Sequence, residues 1–235
     1  MATSSSAASS GATSAAAEIA RLRERMQRMT DGVPRRPLPT HPALGGAVQL
    51  RTGGSYEADS TSLALALMAG PSQAGEWCAV VGVPDFGAEA AAAAGVDLGR
   101  TVLVPEPGEQ WLEVTAALVD VVAVVVLRPP PRVGEHVAEK LGARLRKRGG
   151  VLVALGPWPR CEVRLTTAEP RWTGVGLGHG HLRSRQVVVE TRRGSAPPRR
   201  TTLWFPGEPA ETHLRPVPAP APAVLPDAHP AVAAS

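Results

Sequence analysis

Residues 47–70 read AVQLRTGGSYEADSTSLALALMAG. The pattern predicts a strand over 47–51, a turn on Gly53 and Gly54, and an apolar helix from about Thr61 to Met68. Strand, glycine-rich turn and helix are the setting of a phosphate-binding loop, G-x-x-x-x-G-K-[ST], whose backbone N–H groups and lysine hold a nucleotide's phosphates. Laid from Gly54, the first glycine and Thr61 fit, but Asp59 stands for the second glycine and Ser60 for the lysine. Laid from Gly53, Ser60 fits, but Ala58 and Asp59 take the Gly-Lys positions. Neither register restores the lysine, and no Lys or Arg lies between Arg51 and Arg100. With Glu57 and Asp59 inside the loop, a triphosphate would meet two carboxylates where it needs an ammonium. The motif is degenerate, and no nucleotide cofactor is expected.

The chain of 235 residues suits one domain with tails. It contains no stretch of about 18 apolar residues, so no membrane span is expected. The opening MATSSSAASSGATSAAAE has no basic start followed by an apolar run, so a cytoplasmic protein is expected rather than a secreted one. Cys78 and Cys161 both lie in apolar, strand-like contexts and read as buried thiols, not as a disulfide or metal site. The net charge of +4 is carried almost wholly by arginine, which permits contact with nucleic acid without requiring it.

Outward from the central stretch the chain divides into five parts. Residues 1–17 are Ala/Ser-rich and expected to be disordered. Over 18–30, Ile19, Leu22, Met26 and Met29 share one face of a predicted helix whose other side is rich in arginine. That face either docks on its own domain or meets a partner or neighbouring subunit. Residues 31–44 form a Pro-broken linker, 45–207 the folded core, and 208–235 a Pro/Ala-rich tail expected to stay extended or disordered. In the core, apolar strands over 77–83, 101–104, 121–127 and 151–155 alternate with helices over 88–94, 108–119 and 134–148. The alternation predicts an α/β fold with a mainly parallel sheet. Strands over 162–166, 186–191 and 201–205 follow turns instead, and predict an antiparallel extension.

The strand over 121–127 would carry the acidic residue that holds a nucleotide's magnesium, but the residue after its apolar run is Arg128, and Asp120 stands at the wrong end. Both nucleotide motifs are therefore degenerate, and neither ATPase activity nor a catalytic residue is expected. His179 and His181, in GVGLGHGH (174–181), do not make a ligand spacing with Cys161, and a turn between strands explains the glycines, so no metal is expected. Arg183, Arg185, Arg192, Arg193, Arg199 and Arg200 face only Glu190 in sequence. They read equally as a charged strand edge or as a surface for DNA phosphates or an acidic partner.

The core resembles that of the RecA recombinases. The similarity rests on WCAVVGV followed by AAGVD (93–97), on PGEQ (107–110) opening the next helix, and on CEVRL (161–165), RSRQVVVET (183–191) and 201–205 in the same order. The resemblance implies a RecA-like core over 45–207. It also implies DNA-binding loops, here cut to RPPPRVG (128–134) and GPWPR (156–160), and an acidic residue after the second strand for which only Asp85 stands. A small RecA-like chain with a basic N-terminal helix and a Pro-rich tail is similar to the actinobacterial ImuA-prime type of mutasome accessory proteins. GEWCAVVGVPDFGAEAAAAAGVDL, VPEPGEQW and GPWPRCEVRL carry that likeness. It implies partnership with an inactive Y-family polymerase homologue (ImuB type) and an error-prone C-family DNA polymerase in damage-induced mutagenesis, at the nucleoid. Self-association of RecA type stays open, as do two other readings: an ATP-dependent recombinase or regulator with a rebuilt site, and a basic DNA-binding module.

Overall fold

Short runs of valine, leucine and alanine become strands: β1 (Ser55–Ala58), β2 (Cys78–Val81), β3 (Thr101–Val104), β4 (Val124–Leu127) and β5 (Val151–Leu155). Between them lie helices α1 (Thr61–Gln73), α2 (Ala88–Ala93), α3 (Trp111–Val119) and α4 (Glu135–Arg148). The longer strands β6 (Val163–Thr173), β7 (Ser184–Arg192) and β8 (Arg199–Pro206) follow, then the two-residue β9 (Arg215–Pro216). The computed structural model describes residues 34–41, 44, 46–173, 184–206 and 215–216. Its strands form one sheet in the order β3-β2-β4-β5-β1-β6-β7-β8-β9. The pairs from β3 through β6 are parallel, and β6–β7, β7–β8 and β8–β9 are antiparallel. The parallel core and antiparallel extension are those expected, and β6 belongs to both.

Alternation along the strands divides the core between the two faces of the sheet. Val124, Val126, Val151 and Val153 pack with α1 and with Ala91 of α2. Val125, Leu127, Leu152 and Ala154 pack with Val119 of α3 and with Ala138, Leu141 and Leu145 of α4. Helix α1 is apolar all round and buried from Leu63 to Ser72, as the composition of LALALMAG demands. Helix α4 is amphipathic: it is flanked by Gly134 at the N-cap and by Gly149 at the C-cap in the left-handed conformation (φ 78°), and it places Arg146, Lys147 and Arg148 in its last turn. There they complement the negative end of the helix dipole.

Two expectations change. Residues 47–51 are not a strand. The Arg51 N–H donates to the Tyr56 hydroxyl (2.7 Å), that hydroxyl donates to the Gln49 carbonyl (3.3 Å), and the Leu38 N–H donates to the Leu50 carbonyl (2.9 Å). With these backbone groups satisfied locally, only the isolated bridge Pro37–Arg51 forms. Nor are the described residues of the Pro-broken stretch a free tether. Leu38, His41 and Leu44 are buried, the Arg36 N–H donates to Thr52 Oγ1 (2.8 Å), and Arg35 pairs with Glu162 (2.5 Å). Within the expected tail, Arg215–Pro216 pairs with β8. The face of Ile19, Leu22, Met26 and Met29 lies outside the described residues, as do His179, His181 and Arg183. No helix among the described residues is long and apolar enough to cross a membrane.

Candidate functional site

In open α/β sheets, ligands bind beyond the carboxyl ends of the strands, where the connections leaving neighbouring strands part to opposite faces. Here β2 and β4 are neighbours, yet β2 leads to α2 on one face and β4 to α4 on the other. The sequence places Asp85 just after β2 and Arg128 just after β4. The structure joins them: Arg128 Nη1 lies 2.6 Å from Asp85 Oδ1. The guanidinium holds the Asp85 carboxyl below the usual carboxylate range. At the position expected of a magnesium-binding carboxylate stands a cation, already closed onto the acid across the crevice.

The β1–α1 connection departs further from a phosphate loop. Gly53 and Gly54 precede β1 instead of following it, at the opposite end of the strand from α1. The Gly53 N–H donates to the Gly150 carbonyl (2.7 Å), and a Cβ on Gly53 would lie 3.1 Å from the Arg146 backbone. The link that remains is Asp59–Ser60, too short to wrap a phosphate group. Ser60 caps α1 by accepting from the Leu63 N–H (3.4 Å). Asp59 Oδ2 accepts from the Thr167 N–H (2.6 Å) and hydroxyl (3.0 Å). Thr61 is the first residue of the helix. The residues read as a degenerate loop thus occupy both ends of β1 and form no cradle.

Glu57, expected in that loop, is a strand residue. Its carboxylate accepts Arg164 Nε at 2.6 Å and Nη2 at 3.1 Å, the Trp158 N–H at 3.1 Å and the Cys161 thiol at 3.6 Å. This network ties β1 to β6 and to the β5–β6 connection. Sequence reasoning missed it because its members lie about a hundred residues apart. Asp120, at the amino end of β4, pairs with Arg144 (2.6 Å) and Arg148 (3.3 Å). Of the arginine cluster, Arg192, Arg193, Arg199 and Arg200 lie around the β7–β8 hairpin, and Arg200 pairs with Glu190 (2.5 Å).

Cys78 is buried and Cys161 half-buried, and both are free thiols. Burial pushes the Cys78 thiol up to about 12, and burial together with the Glu57 charge pushes Cys161 up to about 11. The fold retains these protons where the unfolded chain, with thiols near 9, has lost them. Their contribution is therefore full below pH 9 and lost as pH rises through 11 to 12. Stability should fall above pH 9, by at most about 1.4 kcal/mol per pH unit for each thiol. Cys78→Ala should flatten that slope in denaturant titrations run from pH 8 to 11; an unchanged slope would assign it to other groups.

Residues 43–160 match a family model described as the MT3502 N-terminal domain. The match ends just before β6, so it takes in β1 to β5 and the helices between them. The chain is also similar to the uncharacterized protein Rv3395c of Mycobacterium tuberculosis, at 36% identity over 140 residues. The similar stretch covers 59% of this chain and 64% of that protein.

Proposed function

We propose, from the premise that this chain belongs to the MT3502 N-terminal domain family, that it is a non-catalytic RecA-like accessory protein of a damage-induced mutagenic translesion complex. It would act through contacts with an inactive Y-family polymerase homologue and an error-prone C-family polymerase. The observation that carries the non-catalytic part is the state of the sheet's carboxyl edge: a two-residue link follows β1, and Arg128 sits where a metal-binding acid would stand. The RecA-like part is supported by the central β1 leading into a buried helix, by helices on both faces, and by the ordered sequence likenesses over 45–207. The polymerase partners come from the sequence resemblance to ImuA-prime proteins.

The test is affinity purification of the tagged full chain from DNA-damaged cells, beside magnesium–ATP titration of the pure protein. A damage-inducible polymerase should co-purify, and should be lost on Leu22→Asp/Met26→Asp while the core keeps its unfolding midpoint. No ATP binding is expected at micromolar concentrations. Recovery of the chain without any polymerase would overturn the accessory role, and micromolar, magnesium-dependent ATP binding would restore the ATP-dependent reading.

A further inference from the structure

Six arginines in one segment look like a single basic patch, but strand alternation sorts those of the β7–β8 hairpin onto two faces. Thr191 pairs directly with Arg199, and Glu190 with Arg200. Successive strand residues point to opposite faces, so Thr191 and Arg199 share one face while Glu190, Arg192 and Arg200 share the other. Arg193, one residue beyond β7, lines the same pocket as Thr191 and Arg199. On the second face Arg200 is neutralised by Glu190. The first face continues the one on which Val189 and Leu203 enter the core. A solvated strand edge would turn its arginines away from that side. Here two stand at its margin, over a pocket of about 320 Å³ between the 46–49 segment and the hairpin turn.

That volume falls at the lower end of the range of small-molecule sites. No carboxylate lines the pocket. Arg193 and Arg199 are both exposed, and neither has an ion pair among the described residues. Glu162, the acid near Tyr56, is itself held by Arg35. Thr191, in the pocket wall, keeps a buried hydroxyl with no hydrogen-bond partner. That hydroxyl is sealed from solvent, so contacts to a ligand would come from the two guanidiniums. Two planar five-donor forks with no counter-anion suit a doubly charged tetrahedral oxyanion better than a single carboxylate.

We infer that this pocket binds a phosphate group through Arg193 and Arg199. The inference stands apart from the accessory role, since it needs only the hairpin and the segment facing it. The phosphate belongs either to a free small molecule or to a nucleic-acid strand.

The full chain is titrated calorimetrically with inorganic phosphate at low ionic strength, then with a mixed-sequence single-stranded oligodeoxynucleotide. Arg193→Gln and Arg199→Gln should each weaken phosphate binding roughly tenfold, the loss of one charge-assisted contact. Arg199→Lys should recover part of it, and Arg200→Gln, on the other face, should leave it within about twofold. Equal unfolding midpoints establish that the variants fold. If the oligonucleotide displaces phosphate and loses affinity in the same two variants, the phosphate is that of a polynucleotide. If it does not, while the variants still lose inorganic phosphate, a free phosphorylated compound is the ligand. Failure of the natural chain to saturate with phosphate, or equal weakening by Arg200→Gln and Arg199→Gln, would overturn the site.

Discussion

Gly70→Ala should destabilise the fold by about 1–3 kcal/mol, although alanine is the better helix former. The glycine lies in α1, and helix propensity alone would favour the substitution by about 1 kcal/mol. A Cβ there would lie 2.6 Å from the Pro39 carbonyl oxygen, 2.7 Å from the His41 nitrogen and 2.8 Å from the Thr40 carbonyl carbon. All three are backbone atoms, so no side-chain rotation relieves the clash. The segment over α1 is also pinned on either side. The Leu38 carbonyl accepts Gln49 Nε2 at 2.7 Å, and the Leu44 N–H donates to the His41 carbonyl at 2.8 Å.

Gly142→Ala supplies the contrast. It too is a helical glycine, in α4, but its Cβ would meet nothing closer than the flexible end of Arg146, at 3.4 Å. It should stabilise by up to about 1 kcal/mol. Urea unfolding of the pair should give midpoints on opposite sides of the natural chain. If Gly70→Ala moved the midpoint upward, residues 39–41 could not be packed over α1 as described.

The parts of the fold that were legible in the sequence were those written as short apolar runs, buried in Val151–Leu155 and β4 and half-exposed in the edge strand Thr101–Val104. Val151–Leu155 and Thr101–Val104 have the predicted bounds, and VVAVVVL contains β4, because apolar runs between turn residues leave few other placements. The error at β1 has the opposite cause. AVQLR looks more strand-like than SYEA, since a glutamate argues against a central strand unless its partner is known. That partner, Arg164, lies 107 residues away. The single apolar Leu38 among prolines likewise gave no sign that its segment crosses a helix. The arginine segment held a usable signal: counting residues in twos already places Glu190 with Arg192 and separates Arg199 from Arg200. What no spacing could supply is the 46–49 wall opposite.

Replacing Glu57 should likewise destabilise the fold, by about 2–4 kcal/mol for Glu57→Ala. β1 is held between β5 and β6, and Glu57 pairs in register with Ala154 on one side and Arg164 on the other. The carboxylate is buried, whereas the Arg164 side chain is half exposed. The two partners of this bridge are therefore unequal. Without Glu57, the Arg164 guanidinium can turn to water, but the buried Trp158 N–H loses its acceptor. Without Arg164, the carboxylate stays in the sheet with only the Trp158 N–H and the Cys161 thiol. Arg164→Gln should therefore cost at least as much as Glu57→Gln, which keeps one amide oxygen for Trp158. The double variant should show coupling of roughly 1–3 kcal/mol. Denaturant titrations of the four chains measure it directly. A loop carboxylate beside a vacant phosphate site would give another pattern: its removal would relieve repulsion and leave stability unchanged or higher. Glu57→Ala unfolding at the natural midpoint would return Glu57 to that role and reopen the nucleotide question; a large loss confirms that the acid holds the central strand in register.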